Sequence, residues 1–482
     1  MTVFRLLLAS LLAFGLMLMA ATQASAAEPG VVPDLTWYTP DSEKQSTVAA
    51  IEDVGSKWVR LNVKWAEAEP VDNQYNEWWL REYEEAIDMA RAAGQRVIIM
   101  ADTAPAWASG LDSRNVPQDP RDYADFMGML ASRFGTKVDA YEVWNEPNLK
   151  RFWSTGPNPS AYTAMLKATY PKVKAAAPTA KVVFGGVSGN DYDYLEAAYA
   201  AGAKGYFDVM ATHPYTYCGS TGPAAVRRES DGRISRDSFL GYREVRATMA
   251  AHGDAKPIWF TEFGWNTSST ECNPGAGVWQ GGVSETKQAE YLYDSYKLME
   301  QDSYVQVALW YDFRNNYWMK DADTPEARYG LLRTNFTPKP AYSAFKAYAH
   351  GTAYGTTGTS TGTTTGSTST GTTGSTSTGT TTTAPVQTQT QLNVKVKRSR
   401  RAGRVAGRVR AADGGVVVLQ VERREGSDWR RAASYKLRLT DRNAFSRKIN
   451  RLPKGGVRMR ASYRGTRGHR SSHSRFVRFR LG

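Results

Sequence analysis

Two glutamates in two apolar segments are the residues of this chain best suited to chemistry. Glu146 lies in the segment YEVWNEPN, and Glu262 lies in the segment PIWFTEFGW. Each segment is typical of a buried β-strand, and each glutamate comes where the strand gives way to Pro or Gly. Because the strands of a parallel barrel carry their active-site residues at the carboxyl ends, the pattern predicts that both carboxylates lie at one mouth.

A facing pair of carboxyl groups is typical of enzymes that cleave glycosidic bonds. One group protonates the departing oxygen, and the other meets the oxocarbenium-like sugar that forms as the bond breaks. A separation of about 5 to 5.5 Å allows the second carboxylate to attack the anomeric carbon, so that the product keeps its configuration. A separation of roughly 6.5 to 9.5 Å leaves room for a water molecule and inverts the configuration.

The elements that must position these side chains alternate between short β-rich runs and amphipathic stretches. This order is typical of a parallel α/β sheet. Eight candidate strands are visible: 31–37, 58–65, 96–103, 139–145, 181–188, 207–213, 258–262 and 305–311. Helix signals separate them, since Asp119-Pro120 predicts a helix start before Gly135, and Ser284 predicts the cap of a helix that reaches Met299. Eight such repeats predict a (β/α)₈ TIM barrel.

An open, doubly wound sheet is the alternative fold. It is disfavoured because no Gly-rich nucleotide loop follows the first strand. Tryptophans also favour the barrel, since several lie at or just beyond carboxyl ends of predicted strands, where barrel active sites form. These are Trp37, Trp65, Trp107, Trp265 and Trp310.

At these segments the chain resembles the clan A glycoside hydrolases, which are retaining enzymes on (β/α)₈ barrels. The clan pattern has an Asn-Glu pair ending strand four and a Glu ending strand seven, matched here by Asn145-Glu146 and by Glu262. The resemblance covers about residues 30 to 350. It implies that Glu146 is the acid/base, that Glu262 is the nucleophile, and that Asn145 binds the sugar 2-hydroxyl.

The resemblance extends to neighbouring strands. The HPY segment after strand six resembles the clan's partners of the carboxylates, so His213 and Tyr215 are candidate site residues, with the Tyr215 hydroxyl holding Glu262. Trp310 resembles the clan's tryptophan beneath the cleaved sugar. Arg60 faces inward by strand parity, and we expect it to supply the positive charge that keeps a nucleophilic carboxylate ionised.

Further tryptophans are candidates for sugar subsites, because rigid aromatic rings offer apolar area to the C–H faces of sugars. They are Trp107, Trp153, Trp265, Trp279 and Trp318. Packing in the core or at the rim is the alternative interpretation for each of them.

Two families of the clan are similar to this chain in different features. TEFGW resembles family five, but that family usually places a His after strand three, and VIIMADTAPAW has none. The chain looks more like family 39 and its relatives, which include β-xylosidases and hydrolases of bacterial exopolysaccharides.

Composition divides the chain into parts. Residues 1–26 have an apolar run after Arg5 and an Ala-Ser-Ala ending, which predicts a cleaved signal peptide rather than a membrane anchor. Residues 351–392 contain no charged side chain and are mostly Thr, Ser and Gly, which predicts a disordered linker between residues 27–350 and residues 393–482. The last segment holds 27 Lys and Arg against five Asp and Glu, a balance of +22 that leaves −8 for the rest of the chain.

Cys218 and Cys272 are the two cysteines, and a secreted protein can keep them as a disulfide; two free thiols are the alternative. The five histidines are scattered, and no Cys or His pair has ligand spacing, so we expect neither a metal nor another cofactor.

The tail at 393–482 alternates apolar and basic residues with period two, in segments such as VRMRASY and FVRFRL. This pattern predicts a small antiparallel, immunoglobulin-like β-domain. Its charge favours binding of anionic cell-wall polymers or polysaccharides, with a solubilising spacer as the alternative. Specific nucleic-acid binding is disfavoured, since few aromatics are present for base stacking.

Together these features predict a secreted retaining β-glycoside hydrolase that acts on a polysaccharide or oligosaccharide without a membrane span. The alternative function is a non-catalytic glycan-binding protein on the same barrel. Retention of both carboxylates and of Asn145 argues against that alternative, because a lectin has no use for the pair.

Overall fold

A computed structural model describes the chain at residues 26–36, 39–110, 116–216, 218–219, 221–273, 281–315, 323–355, 389–397, 402–410, 416–425, 428–440, 444–449, 452–463, 472–474 and 476–481. The chain forms two compact units, Met1–Ser360 and Thr361–Gly482. Most of the predicted signal peptide, Trp37, Trp279, Trp318 and most of the predicted linker lie outside the described residues.

The first unit is built on a parallel sheet that curls into a barrel. Its strands are β1 (Glu28–Val31), β2 (Trp58–Lys64), β3 (Arg96–Asp102), β4 (Ala140–Val143), β5 (Lys181–Phe184), β6 (Val187–Ser188), β7 (Met210–His213), β8 (Ile258–Phe263) and β9 (Val305–Trp310). They pair in the order β5-β4-β3-β2-β1-β9-β8-β7-β6. A parallel bridge between Val183 and Val209 joins β5 to the residue before β7, which closes the ring.

Helices lie between the strands and cover the sheet. They are α1 (Asp41–Asp53), α2 (Trp65–Ala68), α3 (Glu77–Ala92), α4 (Ala106–Ser109), α5 (Pro120–Phe134), α6 (Pro159–Ala176), α7 (Tyr192–Ala200), α8 (Tyr242–Ala251), α9 (Glu285–Met299) and α10 (Pro340–Ala349). Both predicted caps are present: the Asp119 side chain accepts from the Arg121 amide, and Ser284 accepts from the Lys287 amide. The predicted α/β TIM-barrel fold is confirmed.

Each barrel strand has two buried faces, because one side meets the helices and the other fills the barrel. In β3, Val97 and Ile99 belong to the large cluster beneath the helices. Ile98 belongs to a separate cluster that also contains Trp58, Trp259 and other strand residues. Alternation along one strand therefore sends neighbouring residues to different cores, as expected for a parallel sheet covered on both faces.

Two predicted strands differ from the observed ones. The first strand is placed too late, because the ladder with β9 runs from Glu28 to Val31 rather than from residue 31 to 37. The predicted strand 181–188 is divided into β5 and β6 by Gly185-Gly186. The other six predictions agree with the structure to within three residues at each end.

The second unit is all-β and antiparallel, which confirms the predicted class of the tail. Its strands are β10 (Gln389–Lys397), β11 (Ala402–Arg410), β12 (Val416–Glu425), β13 (Asp428–Arg438), β14 (Ala444–Ile449), β15 (Gly455–Tyr463), β16 (Ser472–His473) and β17 (Val477–Leu481). One sheet has the order β10-β11-β14; the other has the order β13-β12-β15-β16, with β17 also paired to β15. Alternate residues such as Val457 and Met459 form a buried core, and the residues between them are partly exposed.

Among the helices of the described residues, none combines the length and the apolar character that a membrane crossing requires.

Candidate active site

The predicted site residues come together at the carboxyl ends of the barrel strands. Arg60 lies in β2, the Asn145-Glu146 pair follows β4, and His213 ends β7. Glu262 lies in β8, one residue from its end. Each of these five side chains belongs to a residue that is at most 8% exposed, so their polar groups face one another rather than bulk water.

The two glutamates face each other across a short gap. One carboxylate oxygen of Glu146, one of Glu262 and a ring nitrogen of His213 all lie within 4.8 Å of one another. This distance agrees with the shorter of the two spacings of paired carboxyl groups, in which one group can reach the anomeric carbon directly. A water molecule would need a wider gap between them.

Arg60 connects both glutamate-bearing strands. Its Nε donates to Glu142 Oε2 at 2.6 Å, its Nη1 donates to Glu262 Oε1 at 2.7 Å, and its Nη2 donates to Asn145 Oδ1 at 2.7 Å. Burial opposes the charge, but the carboxylates of Glu142 and Glu262 outweigh burial and raise the pKa of Arg60. A fixed cation therefore lies beside Glu262, and Asn145 is held through its amide oxygen.

Tyr215 holds the second oxygen of Glu262. Its hydroxyl donates to Glu262 Oε2 at 3.0 Å. Burial, followed by the charge of Glu262, raises the pKa of Tyr215 well above its ordinary value, so the hydroxyl keeps its proton. With Arg60 on one oxygen and Tyr215 on the other, the carboxylate is fixed in orientation.

His213 forms a hydrogen-bonded chain that ends on Glu146. Thr261 donates its hydroxyl proton to Glu142 Oε1 at 2.9 Å, so its oxygen accepts from His213 Nε2 at 3.0 Å. His213 Nδ1 then lies 2.9 Å from Glu146 Oε1. Burial works against the imidazolium, but Glu262 and Glu146 outweigh it and raise the pKa of His213. One proton can therefore be shared between the imidazole and the Glu146 carboxyl group.

Gly186 leaves room for this chain. A Cβ atom at residue 186 would lie 2.2 Å from His213 Nε2 and 2.8 Å from Thr261 Oγ1, which no side chain can tolerate. Its amide also donates to Glu142 Oε1 at 3.0 Å. From sequence, the Gly185-Gly186 pair is only a weak nucleotide signal, and no sequence signal points to Thr261.

The backbone turns sharply where β4 ends. Trp144 has a φ of 70° and Glu146 a φ of 40°, both in the left-handed region that non-glycine residues seldom adopt. Such strain persists where the surrounding structure holds it in place, and it is concentrated at functional sites. Here the turn presents the Glu146 side chain to His213 at the mouth of the barrel.

Residues after β9 add a further carboxyl group, that of Asp312, and two tyrosine side chains to the surroundings of the site. Burial, then the nearby carboxylate of Asp34, raises the pKa of Asp312 to about 8. Asp312 is therefore mainly protonated at neutral pH and can donate a hydrogen bond. Tyr311 and Tyr329 lie edge to face at 5.5 Å, and Tyr329 contacts Tyr215 at 5.8 Å. These three residues were not singled out from the sequence, although Tyr311 ends a predicted strand and Asp312 follows it.

The predicted sugar-stacking tryptophans differ in accessibility. Trp310 and Trp265 are at most 2% exposed, and their indole nitrogens donate to the carbonyls of Tyr329 and Thr221. Trp153 is also buried. Trp107 lies in α4 and is half-buried, and its indole nitrogen donates to the Glu69 carbonyl. Stacking on a sugar stays a prediction for each of them.

Cys218 and Cys272 form a disulfide, as predicted, with Cα atoms 5.6 Å apart. The bond links the segment after β7 to the segment after β8. Those two segments begin beside Tyr215 and Glu262, which form a hydrogen bond with each other. The disulfide therefore holds together the two loops that carry this contact.

Glu146, His213 and Glu262 are also the one group found in the described residues whose donor atoms are close enough to hold a metal ion. The Arg60 guanidinium already bonds to Glu262 at 2.7 Å. A fixed positive charge at that distance opposes a second cation, so we assign no metal to the group.

Comparison with known proteins places this site in a family. A model of the Cellulase family (glycosyl hydrolase family 5) matches residues 19–312, more than half of the chain. The chain therefore belongs to glycosyl hydrolase family 5. Membership confirms the prediction of a clan A glycoside hydrolase family. The missing His after the third strand does not prevent the match.

One curated relative is similar to part of the chain. The chain is 25% identical to a β-xylosidase of Geobacillus stearothermophilus over 249 residues, which are 47% of this chain and 46% of the relative. The chain thus spans about half the length of that curated relative.

Solved structures from both families share the fold. A family 39 glycoside hydrolase from Bacteroides cellulosilyticus WH2 superposes with a TM-score of 0.53 at 19% identity, covering 91% of this chain and 81% of the other. A family 5, subfamily 18 enzyme from Streptomyces cattleya superposes with a TM-score of 0.53 at 17% identity, covering 68% and 80%. A family 39 enzyme from Xanthomonas axonopodis pv. citri has a TM-score of 0.50 at 17% identity, covering 88% and 91%.

Proposed function

We propose that the protein is a secreted retaining β-glycosidase that hydrolyses a β-glycan through a covalent glycosyl-enzyme intermediate. The observation that carries this proposal is the gap of at most 4.8 Å between carboxylate oxygens of Glu146 and Glu262. That spacing suits direct attack on the sugar. Retention is also the outcome that the clan A resemblance implies.

The two glutamates take different roles because their partners differ. Glu262 accepts from Arg60 and from Tyr215, which favour its charged form, so it is the nucleophile. Glu146 faces His213 Nδ1 and can hold or share a proton, so it is the acid/base. Asn145, fixed through its oxygen by Arg60, is the candidate partner of the sugar 2-hydroxyl.

The reaction has two displacements. In the first, a Glu262 oxygen bonds to the anomeric carbon while the Glu146 proton passes to the glycosidic oxygen, which leaves as an alcohol. In the second, Glu146 takes a proton from water, the resulting oxygen bonds to the anomeric carbon, and Glu262 leaves as a carboxylate. Two inversions restore the starting configuration, and Glu146 ends protonated as it began.

Substitution of each glutamate separates the two roles. Glu262→Gln should abolish turnover of all glycosides, because the amide cannot form the intermediate. Glu146→Ala should lose roughly 10²–10⁴-fold in kcat on substrates with poor leaving groups, retain far more activity on dinitrophenyl glycosides, and regain activity with azide. Steady-state kinetics over a panel of aryl β-glycosides measure both effects.

Glu67→Gln, at a partly buried glutamate of α2, is a control for loss of a carboxylate in the barrel. It should keep nearly normal kinetics. Equal loss of activity on good and poor leaving groups in Glu146→Ala, without rescue by azide, would remove Glu146 from its role.

Three finer points belong to this proposal. The substrate is a β-linked polysaccharide or oligosaccharide, the chain is exported through the signal peptide at residues 1–26, and the basic second unit binds an anionic polymer. The disulfide is consistent with an oxidising compartment. Mass spectrometry of protein recovered from the medium should find a mature chain that starts at Ala27, whereas an intact Met1 in secreted protein would contradict cleavage.

A further inference from the structure

One face of the second unit concentrates positive charge. In the sheet of β12, β13, β15 and β17, the buried residues of β15 alternate with outward-facing ones. The strand register places Arg458 opposite Arg478, Lys436 opposite Val418, and Arg438 opposite Val416. We define the basic face as the outward cations of this sheet: Lys436, Arg438, Arg458, Arg460, Arg478 and Arg480.

Positive charges predominate on the basic face. Glu422 is the acidic side chain on this face, and it accepts from Arg458 at 2.6 Å. Arg458 and Arg478 nevertheless occupy directly opposed positions on neighbouring strands, where like charges destabilise a sheet. An anion bound across these two strands would reduce the repulsion between them.

Aromatic contacts fix the guanidinium groups of this face. Arg458 and Arg460 lie 4.2 and 4.7 Å from the centroid of Phe476, and Arg458 also lies 4.7 Å from the centroid of Trp429. These contacts hold the planar groups in position, which lowers the entropy that a ligand must overcome. They also cover the two rings with arginine, so the rings are not open platforms for nucleic-acid bases.

We propose that the basic face binds a carboxylate-bearing polysaccharide and thereby anchors the enzyme to a glycan matrix. A guanidinium pairs with a carboxylate through two parallel hydrogen bonds, and a row of them suits a polymer with one carboxylate on each sugar. The choice of a polysaccharide rests on the proposed glycosidase function. The rest of the chain has a net charge of −8, which does not favour binding of an anionic polymer. We therefore assign the anionic polymer to the basic face as the anchor, and a less acidic glycan to the barrel as the substrate.

Binding of the full chain to polygalacturonate tests the proposal. The wild type should bind at low salt, and its affinity should fall steeply as salt increases, because bound counterions are released. Arg478→Gln with Arg480→Gln should weaken binding at least about tenfold, and Lys436→Gln with Arg438→Gln should act in the same direction. A control, Arg447→Gln with Lys448→Gln, removes two exposed cations from β14 of the other sheet and should change affinity less than about threefold.

Each outcome decides the question. Equal weakening by the face and control variants would show that only net charge matters, and it would overturn the proposal. Tighter binding of duplex DNA or polyphosphate than of polygalacturonate at the same salt would also overturn it. Turnover of a small aryl glycoside should be unchanged in all variants. A wild type that binds polygalacturonate but hydrolyses no glycoside would contradict the proposed hydrolysis, while the proposed binding by the basic face would stand.

Discussion

At the scale of single residues, Arg60 connects the polar groups of the site. It bonds to Glu142, to Glu262 and to Asn145 from three different nitrogens, and it is completely buried. Only a planar guanidinium can serve three acceptors in one plane, whereas an ammonium group is a point charge. Arg60 therefore places a fixed positive charge beside the carboxylate of Glu262 and also orients the Asn145 amide.

Arg60→Lys should therefore damage both activity and stability. We expect kcat/KM to fall at least about 10²-fold and the free energy of unfolding to fall by about 3 kcal/mol, since buried carboxylates lose partners. Kinetics and urea denaturation measure these changes. Arg91→Lys, in an exposed pair with Asp139, should change stability by less than about 1 kcal/mol. A variant of Arg60 that behaves like Arg91→Lys would contradict this account.

Strand parity predicts from sequence that Arg60 faces inward, and motif order predicts that Glu262 lies in the site. The contacts of Thr261 and Gly186 could not be predicted in this way, because they join strands that are distant in sequence. Thr261 has no local pattern that separates it from an ordinary strand residue. A side chain at residue 186 would collide with His213, and this close approach exists only in the assembled barrel.

At the scale of elements, the break between β5 and β6 leaves space for the residues of the site. The two glycines end the strand so that Glu142, His213 and Thr261 can approach the backbone of residue 186. Gly186→Ala should displace His213 and reduce kcat at least about tenfold, with a smaller effect on KM. Gly355→Ala, where a Cβ meets nothing within 4 Å, is the matched control. Normal kcat in Gly186→Ala would show that this close approach is unimportant.

Lys339 gives the segment before α10 a dependence on pH. Burial lowers its pKa to about 7, and its Nζ donates to Thr267 and to the Arg328 carbonyl. Between about pH 7 and the ordinary value of 10.5, the unfolded chain holds a proton that the folded chain lacks. The free energy of unfolding should therefore rise with pH across this window.

Lys339→Met should lose that rise, so the wild type should become more stable relative to the variant as pH increases from 7 to 10. Denaturation in urea at several pH values measures it. Lys346→Met removes an exposed lysine paired with Asp53 and should show no such trend. A constant difference for Lys339→Met would contradict the lowered pKa.

The first strand illustrates what local pattern cannot predict. Its neighbourhood is β-rich through residue 37, but pairing with β9 begins at Glu28 and the strand ends at Val31. The register is set by β9 and β2 on either side rather than by the propensity of the segment itself. Most other strands are predicted closely because both of their faces are buried, which gives continuous apolar runs.

For the whole molecule, composition alone separates an acidic barrel from a basic β-unit. The sequence predicts both classes of fold and the different character of their partners, since charge and periodicity change together near the linker. It does not specify which strands of the second unit share a face. The basic face emerges only from the register of β12, β13, β15 and β17.

The anomeric configuration of the first product tests the central claim most directly. Proton NMR during early turnover of a β-glycoside distinguishes the two anomers before they equilibrate in water. Attack by Glu262 across the short gap to Glu146 predicts that the β-anomer forms first and then converts. First appearance of the α-anomer would mean a single displacement by water and would contradict the roles assigned to both glutamates.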